Sequence, residues 1–135
     1  MLLKLIYIAN VVVAGTVGFL CLATPARASV LVFSGTASDR AALTVVGAFW
    51  LAIALLSVRG FFSPQAFQPV LLIQLVYKGL WLIVFAAPAY LSGRAHSVPG
   101  GIAAFFLVWV IVLPFAIDWS ALIGNAASSH DESRL

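Results

Sequence analysis

Charged side chains fall almost one per connection in this chain, and between them lie four apolar stretches of membrane-crossing length. Leu5 to Ala26, Ala41 to Val58, Val70 to Leu91 and Ile102 to Gly124 together hold two charged residues, Lys78 and Asp118. A helix crossing the hydrocarbon layer needs about 20 predominantly apolar residues at about 1.5 Å of rise each. A water-soluble fold would need a polar surface for these stretches, and the chain has none to offer. Its residues are 8% charged and 64% hydrophobic, against about 25% charged in an average soluble domain. The expectation is a single integral membrane domain of 135 residues, an all-α four-helix transmembrane bundle with spans at about 5–26, 41–58, 70–91 and 102–124.

The third stretch, QPVLLIQLVYKGLWLIVFAAPAYL, carries the sharpest functional signal. Gln74, Tyr77, Lys78 and Trp81 recur at helical spacing, so a helix puts all four on one face. A charge in mid-bilayer costs about 2.5–3.5 kcal/mol on insertion scales, so such residues face the protein interior and take partners. The expected partner of Lys78 is Asp118. The third and fourth spans run antiparallel, and the two residues lie on the same side of mid-membrane with a backbone offset of about 6 Å at 1.5 Å per residue, which a lysine stem covers. Asn10, near the middle of the first span, joins them if that helix packs alongside. Read structurally, the set is a closed polar network that holds helices together. Read functionally, it is a ligand site, since lysine, tyrosine, tryptophan and glutamine suit an anionic or carbonyl-bearing head group.

No catalytic constellation accompanies this face. Cys21 is the single cysteine, and inside an apolar helix it reads as a small buried hydrophobe. His96 and His130 fall in a connection and in the tail, and no set of ligands has metal spacing. No cofactor is expected. The net charge of +3 is scattered, without the basic run that nucleic acid requires. The partners implied are the lipid bilayer and other membrane subunits or a second copy of the chain.

Around Gln74-x-x-Tyr77-Lys78-x-x-Trp81, preceded by Ser63-Pro64 and Pro69-Val70-Leu71-Leu72, the chain resembles a group of small four-span bacterial integral membrane proteins of unknown function. The resemblance implies a four-helix membrane fold and a bacterial inner-membrane location; it implies no activity, substrate or cofactor.

Local signals set further expectations. Ala26-Arg27-Ala28 has the small-x-small pattern of a signal cleavage site, yet the apolar run before it exceeds the 7–15 residues usual for a signal core; a retained first helix is expected. Val30 to Phe33 is too short to cross. Ser38-Asp39 is a helix start. Pro69 either breaks an interfacial turn from the third span or occupies its first turn. Pro88 and Pro114 remove helical hydrogen bonds within the third and fourth spans. Gly124-Asn125 is a helix stop and the polar tail after it is read as disordered. With Lys4 ahead of the first helix, both termini are placed in the cytoplasm. Two functions follow: a structural or accessory subunit of a membrane complex, or a binder or transporter of a small ligand, lipid or quinone through the Lys78/Asp118 site. An enzyme ranks behind both.

Overall fold

The computed structural model describes residues 1–122, and within them the chain is all-helical with no strand. The helices are α1 (Leu2–Ala23), α2 (Pro25–Leu31), α3 (Arg40–Phe62), α4 (Gln68–Trp81), α5 (Ala87–Leu91) and α6 (Gly100–Ala116). A π-helical segment, Leu82–Ala86, joins α4 to α5 in one continuous rod, and a 3₁₀ turn, Ala95–Ser97, precedes α6. Three helices are long and apolar enough to cross a membrane: Leu2–Ala23, Arg40–Phe62 and Gln68–Leu91. The fourth differs from expectation. It ends at Ala116, 17 residues long, where a span to Gly124 was expected. The expected stop at Gly124-Asn125, His130 and the tail lie outside the described residues.

The helix ends follow from local chemistry. Asp39 caps α3, its carboxylate accepting from the Ala42 amide at 2.6 Å, as a short acidic side chain at a helix start should. Asp39→Ala is expected to cost about 1 kcal/mol, read as a lower thermal midpoint in detergent. Pro69 sits in the first turn of α4, where its missing N–H costs nothing. Downstream, the Pro88 ring removes a donor, and the rod widens just ahead of it: the Ala87 amide reaches back to the Leu82 carbonyl, the five-residue step of a π turn. The rod closes on Gly93, whose φ is +74°. Arg94 N–H donates to the Ala89 carbonyl at 2.8 Å and Gly93 N–H to that of Tyr90 at 3.2 Å, the paired bonds of a Schellman ending.

Packing divides the molecule into two antiparallel helix pairs, α1 on α3 and α4 on α6, while α3 and α4 meet less closely, chiefly through side chains such as Phe49 and Tyr77, although one short connection joins them. The α1–α3 contact is close because glycines line it. A Cβ on Gly18 would stand 2.7 Å from the Leu51 nitrogen, and one on Gly47 would stand 2.7 Å from the Cys21 Cβ. Gly60 receives the ring of Tyr7, whose hydroxyl donates to the Pro64 carbonyl at 2.9 Å. The short helix α2 folds back against α1 and α3. It contains Ala26, Arg27 and Ala28, with Ala28 fully buried beside Cys21 and Leu43.

Candidate functional site

The core of the bundle holds an isolated group of polar side chains. α4 contributes Gln74 and Lys78, one turn apart, and Lys78 Nζ donates to Gln74 Oε1 at 2.7 Å. α1 contributes Asn10 and α6 contributes Trp109. The Trp109 indole N–H is shared between Asn10 Oδ1 and Gln74 Oε1, each at 3.2 Å. Gln74 Oε1 thus serves two donors from two helices, using both of its lone pairs. Asn10, Gln74 and Lys78 are each 1% exposed.

Aromatic rings surround the amine. The ring centroids of Phe105, Trp109, Tyr77 and Phe106 lie 5.0, 5.2, 5.5 and 5.7 Å from Lys78 Nζ. Ring faces within about 6 Å attract a cation through their quadrupoles. Four rings and one amide oxygen therefore take the place that a counter-ion was expected to fill.

That expected counter-ion is elsewhere. Because α6 stops at Ala116, Asp118 lies beyond its last turn. Its carboxylate accepts from the Ser120 hydroxyl at 2.6 Å and the Ala121 amide at 3.2 Å, capping a helical turn at 119–122. The Ser120 hydroxyl, then the Ala121 amide, hold this carboxyl below its usual range. The Asp118 amide donates to Oε1 of the fully buried Gln68 at 2.6 Å, and Gln68 in turn donates to Gln65. The expected Lys78–Asp118 pair is therefore not formed. Lysine finds its acceptor one turn away on its own helix, and aspartate is used as a cap.

The remaining candidates divide between the cluster and its surroundings. Tyr77 stands edge-on to Phe49 and Phe106, with centroids at 5.1 and 5.6 Å. Trp81 packs on Phe106 at 5.2 Å and on Phe85 at 5.3 Å. Both border the cluster, and neither polar tip hydrogen-bonds to it.

Trp109, Gln68 and Ser57 are the polar residues that sequence reasoning passed over. Ser57 is fully buried, and the α1–α3 register brings it level with Asn10, since each lies three residues from the Tyr7–Gly60 contact. That register was hidden because it needs the helix pairing. Trp109 lay in plain view as an indole within an apolar span, where an N–H seeks a partner. Three buried polar atoms, Asn10 Nδ2, Ser57 Oγ and Gln74 Nε2, are without partners among the described residues.

The arrangement ties three helices through one donor, the Trp109 indole N–H of α6 reaching Asn10 on α1 and Gln74 on α4, and buries an amine beside it. The described residues contain no group of three or more His, Cys, Asp or Glu side chains placed to hold a metal. Comparison with protein-family models, with curated proteins and with solved structures finds no match for this chain.

Proposed function

We propose that the protein is a small accessory subunit of a membrane complex, held as a four-crossing bundle with both termini on the cytoplasmic side of a bacterial inner membrane. The observation that carries this reading is the closed state of the Lys78 cluster. A lysine used for ligand or transport chemistry needs a path to solvent or substrate, whereas Lys78 is 1% exposed, bonded to Gln74 and walled by four rings. The role of the cluster is to fix α4 against α1 and α6 through the bonds of Trp109 to Gln74 and Asn10, as intramembrane polar contacts do. The version of the ligand reading that used a Lys78/Asp118 site loses its basis with that pair.

The fourth crossing rests on α6, whose 17 residues extend about 25 Å at 1.5 Å each. That is a few ångströms less than the hydrocarbon layer, a mismatch that local thinning accommodates at modest cost. Exposed Ile73, Val76, Leu80, Ile83 and Val84 leave one side of the α4 rod apolar, suited to acyl chains or to a partner helix. Purification of the full chain from its native membrane in mild detergent, followed by mass spectrometry, tests the proposal. The expected result is a membrane polypeptide, or a second copy of the chain, at fixed stoichiometry. A monomer that carries no polypeptide partner at any detergent concentration overturns it.

A further inference from the structure

The seam between the two helix pairs is not filled by the described residues. α3 and α4 meet there at few points, Phe49 against Tyr77 among them, and beside them lies a pocket of about 380 Å³ whose wall includes Phe49, Trp50, Tyr77, Trp81, Phe85 and Phe106. This volume lies within the range of about 300–1,000 Å³ typical of small-molecule sites. The connection after α2 closes one end through Phe33, Thr36 and Ala37.

Three observations give the pocket a chemistry. Its walls are aromatic on three helices, and the rings meet edge-on or tilted: Phe49 on Tyr77, Tyr77 on Phe106, Trp81 on Phe106. Flat faces of this kind receive another flat ring. Second, the wall contains hydrogen-bond donors for which the described residues supply no acceptor. Trp109 and Trp119 donate their indole N–H groups within the protein. Trp50, Trp81 and the Tyr77 hydroxyl, all in the pocket wall, have no acceptor among the described residues. Nor are their polar atoms sealed in the way that Asn10 Nδ2, Ser57 Oγ and Gln74 Nε2 are. Third, the wall includes the π turn of the long rod, which holds Phe85 beside Trp81; such turns recur at functional sites.

We infer that this seam binds a membrane-dissolved small molecule built on a flat ring with carbonyl oxygens, the chemistry of a quinone. The aromatic faces take the ring, and the Tyr77 hydroxyl and the indole N–H groups supply what a carbonyl accepts. A long apolar tail does not fit in the enclosed volume and leaves through the open side of the seam into lipid. The site backs onto the Lys78 cluster, with which it shares the rings of Tyr77 and Phe106, but does not use the amine, and it stands whether or not the chain is an accessory subunit.

The test uses the full chain in lipid nanodiscs and 2-methyl-1,4-naphthoquinone as probe, read by quenching of tryptophan fluorescence. With Trp50 and Trp81 in the wall, site binding gives a saturable component, whereas collisions in lipid give quenching that only rises linearly. Tyr77→Phe keeps the ring contacts and removes the hydroxyl, and is expected to weaken the saturable component about tenfold. Val46→Phe, which places a ring in the pocket, is expected to abolish it while the thermal midpoint stays near wild type. Should that variant unfold, Tyr77→Phe alone carries the decision. 1,4-Dimethoxy-2-methylnaphthalene, the same ring without carbonyls, is expected to compete poorly. Linear quenching identical in all three proteins overturns the site. Full displacement of the probe by oleic acid, with Tyr77→Phe unchanged, overturns the ligand class in favour of an acyl chain.

Discussion

Gln74→Leu is expected to destabilise the protein by about 3 kcal/mol, more than Lys78→Met does, although lysine is the costlier residue to bury. Gln74 Oε1 is the shared acceptor for Lys78 Nζ and Trp109 Nε1. Removing it leaves an amine 1% exposed with rings alone for company, and stranding a buried donor costs about 1–3 kcal/mol, more when it is charged. Lys78→Met removes the demanding group and keeps much of the volume in an adaptable side chain, so its effect should stay within about 1.5 kcal/mol. The double variant should match Lys78→Met and not the sum of the two, because replacing both members of a buried polar pair by apolar groups is nearly neutral. Asp118→Leu should add independently to Lys78→Met, since the two side chains share no contact and Asp118 acts on Ser120 and Ala121. Thermal unfolding in detergent of the wild type, the single variants and the two doubles decides it. Additive losses for Gln74 and Lys78, or rescue of Lys78→Met by Asp118→Leu, would show that the cluster is wired differently.

Gly18→Ala is expected to lower stability by about 1–2 kcal/mol, although alanine is the better helix former. The added Cβ would meet the Leu51 nitrogen at 2.7 Å and the Gly47 carbonyl oxygen at 2.9 Å. Both are backbone atoms of α3, so no side-chain rotation relieves the clash and the two helices must separate. Overpacking of this kind costs about 1–3 kcal/mol, against a gain of about 0.5–1 kcal/mol from replacing a helical glycine. Close backbone approach is also what drives helix association in lipid, where apolar burial gives little, so Gly18→Leu should be worse still. Gly79→Ala is the internal control: nothing lies within 4 Å of its Cβ position, and it should be neutral or slightly stabilising. Thermal midpoints, with helicity monitored in parallel, separate the outcomes. A Gly18→Ala midpoint at or above that of the wild type would mean that the α1–α3 contact is looser than described.

The sequence by itself determined the helices and the sharing of their faces. Uncharged runs bounded by Asp39, Arg59, Arg94 and the proline- and glycine-rich connections leave the backbone no means of satisfaction in lipid except helix. Helical spacing alone puts Gln74, Tyr77, Lys78 and Trp81 together, and Asp39 announces its cap. What the sequence could not state is which surface each face meets. In a soluble helix, the contrast between apolar and polar sides sets the rotation. Here Val12, Leu55, Val76 and Ile111 on the outside are as apolar as Ile6, Ile53, Leu71 and Leu113 within, so composition gives no phase. Only the tertiary structure decided that Gly18 faces Leu51, that Ser57 comes level with Asn10, and that Trp109 reaches Gln74. It also decided the end of α6. The expected span ran on through Asp118 to the stop at Gly124-Asn125, whereas buried Gln68, 50 residues earlier, takes the Asp118 amide and leaves its carboxylate to cap the next turn. With Asp118 beyond the end of α6 and engaged as a cap, the ion pair that depth alone had favoured does not form.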